Sequence, residues 1–181
     1  MANDPQQKLN IDQQMLTIEQ AIEFGAQNLT AGKVQKAEAV FQQIVQVSPK
    51  HSVALNLLGV ITCQNGKIDT GVEFIKRALA VDPEYAEAHF NLGMVFQNLG
   101  ELEEAMRKYQ KAVALKPNYI EAHYNLATVF QELEMFDEAA SNYQKVIAAN
   151  PDLTEAYNNL AIVFRKMGRL DDAVATYQKA L

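Results

Sequence analysis

Pro49, Pro83, Pro117 and Pro151 stand at a constant spacing of 34 residues, and that ruler constrains the chain more than any other feature. Placing each proline at position 32 of a repeat sets repeats at 18–51, 52–85, 86–119 and 120–153, with a fifth, incomplete one at 154–181. The third and fourth are identical at 16 of 34 positions, and AEAHFNLGMVF from Ala86 returns as IEAHYNLATVF from Ile120. A segment this short cannot enclose a core of its own, so its apolar face must be buried against the next copy. Residues 1–17 lie outside the ruler and read as a flexible or partly helical lead-in.

Turn chemistry divides each repeat into two amphipathic helical halves. Gly32, Gly66, Gly100 and Gly168 share one position, where a glycine accepts the positive φ that ends a helix. Glu134 takes that place in the fourth repeat and is expected at positive φ as well. Asp69, Glu103, Asp137 and Asp171 follow, which suits the positive N-terminal end of a second helix. Small residues on the first helix (Gly59, Gly93, Ala127, Ala161) and on the second (Ala37, Gly71, Ala105, Ala139, Ala173) predict close backbone approach. Phe96, Phe130 and Phe164, with Tyr109, Tyr143 and Tyr177, then fill the space between successive repeats. The fold class is all-α.

The pattern small-x-x-His/Tyr-x-x-Leu-Gly/Ala-x-x-Phe, then Ala-x-x-x-Tyr-x-x-Ala/Val, then Pro, resembles the tetratricopeptide repeat over about residues 18–181. The first repeat departs most, with Ala21 and Asn28 where later ones carry aromatics. The resemblance implies a right-handed α-solenoid of stacked antiparallel helix pairs, whose first helices line a concave groove for an extended peptide or partner helix. Leu181 falls before the closing proline of its repeat, so the chain reads as a piece of a longer protein whose uncapped last repeat could self-associate.

Asn91, Asn125 and Asn159 recur at the sixth position, one residue before the packing leucine. In this family that position lies on the concave wall, where a row of amides offers donors and acceptors to an extended main chain. Asn56 and Asn158, one residue earlier in their repeats, point in a similar direction, and Gln97 and Gln131 continue the polar stripe. Phe90 and Tyr124 border the same groove and are candidates to stack on a ligand's side chains. This asparagine ladder is similar to the arm of O-linked N-acetylglucosamine transferases and their bacterial relatives, which implies a second reading, a substrate-recruiting arm of a larger enzyme. A third is a self-assembling scaffold.

The lysine, arginine and asparagine clamp by which relatives hold a C-terminal carboxylate is missing, because the second position carries Val53, Glu87, Glu121 and Glu155. Those glutamates point to a neutral or basic ligand, although first-turn charges also suit the helix dipole. His89 and His123 share a packing position without further ligands, and Cys63 has no evident base, so no catalytic residue, metal site or cofactor is expected. The net charge of −6 carries no basic face for nucleic acid. Neither a signal peptide nor a membrane-spanning run is present, and the reading is a cytoplasmic interaction protein.

Overall fold

The structure, a computed structural model, describes residues 8–11 and 13–180. Among them the repeats form ten helices in pairs: α1 (Ile18–Thr30) with α2 (Val34–Val47), α3 (Ser52–Gln64) with α4 (Ile68–Val81), α5 (Ala86–Asn98) with α6 (Leu102–Leu115), α7 (Ile120–Glu132) with α8 (Phe136–Ala149), and α9 (Thr154–Lys166) with α10 (Leu170–Lys179). Every first helix begins at the first residue of its repeat. The fold is an all-α helical solenoid.

The turn inside each pair is set by local hydrogen bonding. Gly32 N–H donates to the Leu29 carbonyl at 2.9 Å and Lys33 N–H to the Asn28 carbonyl at 2.8 Å, closing the end of α1 in a Schellman motif. The four turn glycines take φ of 72°, 81°, 76° and 76°. Glu134 adopts φ 59° in the same motif, with Met135 N–H donating to the Phe130 carbonyl at 2.8 Å. The left-handed turn is therefore kept at the fourth repeat although a side chain must be accommodated there.

The lead-in differs from expectation. Lys8–Ile11 (β1) and Gln14–Thr17 (β2) form an antiparallel hairpin, with Leu9 opposite Leu16 and Ile11 opposite Gln14. The alternation of Leu9 and Ile11 with Lys8 and Asn10 turns both apolar side chains inward, where they are 6% and 4% exposed beside Ile18, Ala21 and Phe41. Thr17 then caps α1 in a reciprocal box with Gln20. The hairpin gives the first repeat an apolar neighbour in place of a preceding helix pair.

The chain divides into two compact units, one up to Ala88 and one from His89. In the first, α3 and α4 meet backbone to backbone at Gly59 and Gly71: a Cβ on Gly71 would lie 2.6 Å from the Gly59 carbonyl oxygen and 2.3 Å from Cys63 Sγ. Cys63 is thus part of this helix crossing, its thiol directed at the Ile68 carbonyl (3.7 Å), and burial pushes its pKa up. In the second unit Tyr109 and Tyr143 are fully buried among Ala105, Leu126, Phe130, Ala139 and Leu160.

Candidate functional site

The second unit presents the first helices α7 and α9 side by side, and a seam of amides and phenols runs along them. Tyr109 Oη donates to Gln97 Oε1 at 2.8 Å and accepts from Asn125 Nδ2 at 3.3 Å. One repeat on, Tyr143 Oη donates to Gln131 Oε1 at 3.3 Å, and Thr128 Oγ1 lies 3.1 Å from the same hydroxyl. Asn159 Nδ2 donates to Tyr124 Oη at 2.9 Å, linking α9 to α7. Burial of the rings pushes Tyr109 and Tyr143 up to about 12, and the amide and hydroxyl donors around them oppose that rise only in part.

This seam refines the role expected of the asparagines. Asn125 and Asn159 each spend an amide hydrogen on a tyrosine of the preceding repeat, and Asn159 also reaches the Tyr143 hydroxyl, so they tie repeats together. Asn91 is half-buried on α5, and Asn158 is exposed on α9. Asn56 is a correction: it is 2% exposed and donates to Tyr85 Oη at 3.4 Å, which puts it inside the first unit and out of a ligand's reach. Asn158 holds the same fifth position and is exposed, so the helix position alone does not bury Asn56; its contact with Tyr85, at the end of the second repeat, accounts for the difference.

Phe90 and Tyr124 differ although they share a position. Phe90 lies against Tyr119 with centroids 4.9 Å apart and against Tyr109 at 5.7 Å, and Lys116 Nζ sits 4.6 Å above the Tyr119 ring. Tyr124 has an edge contact to Tyr143 at 5.8 Å and faces a cleft of about 450 Å³. Ile120, Glu121 and Asn125 of α7 form one wall of that cleft, and Asn150, Leu153 and Glu155 form the other. Asn150 and Leu153 escape a reading of the first helices alone, since they belong to the connection after α8. The signal for them is the comparison of repeats, which aligns Asn150 with Lys116 and Leu153 with Tyr119.

The histidine at the shared position of α7 is structural. His123 is 7% exposed, with Nδ1 2.7 Å from Asn142 Oδ1 and Nε2 3.0 Å from the Pro117 carbonyl. Asn142 in turn donates to the Glu138 carbonyl at 2.9 Å, which fixes its amide. Among the described residues no group of His, Cys, Asp and Glu side chains is placed to hold a metal ion, and no helix is long and apolar enough to cross a membrane.

Comparison with known proteins agrees with this architecture. A family model described as TPR repeat matches residues 59–100 and 98–134, and one described as Tetratricopeptide repeat matches residues 124–181. A crystal structure of MamA superposes with a TM-score of 0.76 at 27% identity, covering 86% of this chain and 91% of that one. A second MamA structure gives 0.77 at 26% identity, covering 91% and 90%. YrrB, described as a TPR protein with an unusual peptide-binding site, gives 0.73 at 21% identity over 88% and 82%, a likeness of fold alone. No curated protein sequence matches the chain.

Proposed function

Because the chain belongs to the tetratricopeptide repeat family, we propose that it is a non-catalytic protein-interaction scaffold that holds an extended segment of another protein along the first-helix face of its second compact unit. The observation that carries this reading is the cleft beside Tyr124, where an aromatic ring and the Asn125 amide meet at an accessible surface. Extended peptides are recognised when main-chain groups find fixed partners and alternate side chains find pockets. The amide carbonyls of Asn125 and Asn159 supply the first, and the cleft supplies the second. Phe90, Asn91, Gln97, Gln131 and Asn158 extend the candidate surface along α5, α7 and α9.

Selection of short random peptides on the immobilised protein tests this. Enriched peptides should lose affinity on Tyr124→Ala and, about tenfold, on Asn125→Ala with Asn159→Ala, which removes two amide contacts of about 0.5–1.5 kcal/mol each. Because each asparagine also anchors a tyrosine, the double variant should melt a few degrees lower. Enriched peptides indifferent to all three changes would remove this face from the mechanism.

A second reading has its own observation. Leu170, Val174 and Tyr177 share one face of α10 and are 62%, 57% and 38% exposed, an apolar stripe suited to association between copies. Sedimentation over a concentration series distinguishes the two, since self-association through this stripe should disappear in Leu170→Glu while peptide selection is unchanged.

A further inference from the structure

We infer that the cleft between α7 and the start of α9 is a recognition pocket for a basic side chain, lysine in the first instance, of the bound segment; this rests on the peptide-binding reading and names its specificity. The argument begins with the two adjacent repeats. At the end of the third, Lys116 N–H donates to the Ala112 carbonyl at 2.9 Å and Tyr119 N–H to the Lys116 carbonyl at 3.0 Å. At the end of the fourth, Asn150 N–H donates to Val146 at 2.8 Å and Leu153 N–H to Asn150 at 3.3 Å. The backbone turn is the same, so the two places differ in the side chains that occupy them.

In the third repeat the place is filled from within the chain. Tyr119 packs on Phe90, and the Lys116 ammonium lies 4.6 Å above the Tyr119 ring. In the fourth, Leu153 is shorter than tyrosine and Asn150 shorter than lysine, and about 450 Å³ opens beside Tyr124. One repeat earlier the lysine caps Tyr119, which itself covers Phe90; here Asn150 and Leu153 stand in those two places, and Tyr124, the counterpart of Phe90, is left bordering the opening.

Charge selects the occupant. Glu121 and Glu155 line the cleft from its two sides, none of its lining residues is basic, and among the described residues neither carboxylate has an ion-pair partner. An acidic side chain entering there would meet two like charges, and a purely apolar one would strip water from both carboxylates without compensation. A lysine lays its methylenes on Ile120 and Leu153, its ammonium near the face of Tyr124, and its three donors within reach of the carboxylates and the Asn150 amide.

The test is an NMR titration of the intact chain with four otherwise identical Gly/Ser/Ala peptides, capped at both ends and bearing a central lysine, norleucine, phenylalanine or glutamate. The lysine peptide should bind about tenfold more tightly than norleucine, and its amide shifts should gather at 120–125 and 150–155. Glu121→Gln with Glu155→Gln should bring the lysine peptide down to the norleucine level and leave norleucine where it was. Asn150→Lys with Leu153→Tyr rebuilds the filling of the third repeat, and should close the site to lysine in a protein that still folds. Norleucine or phenylalanine binding as well as lysine, or a lysine preference that survives the double glutamine change, overturns the pocket and leaves the peptide-binding face standing. No binding by any peptide overturns both.

Discussion

Replacing Gly71 by alanine tests how closely the helices of a repeat must approach. On α4 an added methyl would meet the Cys63 sulphur at 2.3 Å, the Gly59 carbonyl oxygen at 2.6 Å and the Cys63 backbone nitrogen at 2.8 Å. All three lie inside van der Waals contact, and two are backbone atoms of α3 that cannot turn aside. Relief requires α3 and α4 to separate along a crossing that also carries Ile61 and Ile75, both fully buried. Overpacking of this kind costs about 1–3 kcal/mol, and backbone obstruction places it toward the upper end. Alanine returns about 1 kcal/mol as the better helix former. The net loss is about 1–2 kcal/mol, and the melting temperature should fall by about 2–8 °C in a chain of this size. Thermal unfolding followed by circular dichroism reads the shift, and hydrogen exchange should show it first in α3 and α4. Adding Cys63→Ala removes only the sulphur contact, so a double-mutant cycle should show partial recovery. A melting temperature equal to or above wild type would refute the close approach, and full recovery in the double variant would assign the clash to the thiol alone.

Two further outcomes follow from the turns and the buried phenols. Glu134→Gly removes a side chain from φ 59° within an intact Schellman motif and should stabilise by up to about 1 kcal/mol, less the glycine's greater freedom when unfolded; an unchanged or lower melting temperature would show that the fourth turn bears no strain. Tyr109 and Tyr143 titrate near 12 in the fold against 10 in the unfolded chain, so the folded state keeps protons that the unfolded state releases. Their contribution is complete below pH 10 and is lost as pH rises toward 12. The urea midpoint should fall across that window, and less steeply in Tyr109→Phe with Tyr143→Phe; equal slopes would mean that the phenols carry no linkage.

The helical repeats were legible in the sequence because their causes are local. The apolar period sets which side of a helix packs, and the turn needs one residue at positive φ with two hydrogen bonds reaching back within six residues. That is why even the exception at Glu134 could be anticipated. The pairing of Gly59 with Gly71 was legible too, since small residues at matched positions leave nothing else to separate two backbones. The pairing of Lys8–Ile11 with Gln14–Thr17 was not, because Leu9 and Ile11 make too short an alternation to announce a strand, and its stability comes from α1 and α2 beneath it. The asparagines were located on their helices but not in their bonds. Whether an amide on one helix meets the hydroxyl of Tyr109 or Tyr124 depends on the distance and rotation between helices, which the packing of the whole repeat decides. The cleft is the furthest from sequence of all. Its walls come from α7, the α8–α9 connection and α9, and it exists because Asn150 and Leu153 fall short of a space that Lys116 and Tyr119 fill one repeat before, a difference in volume that only the assembled neighbours turn into an opening.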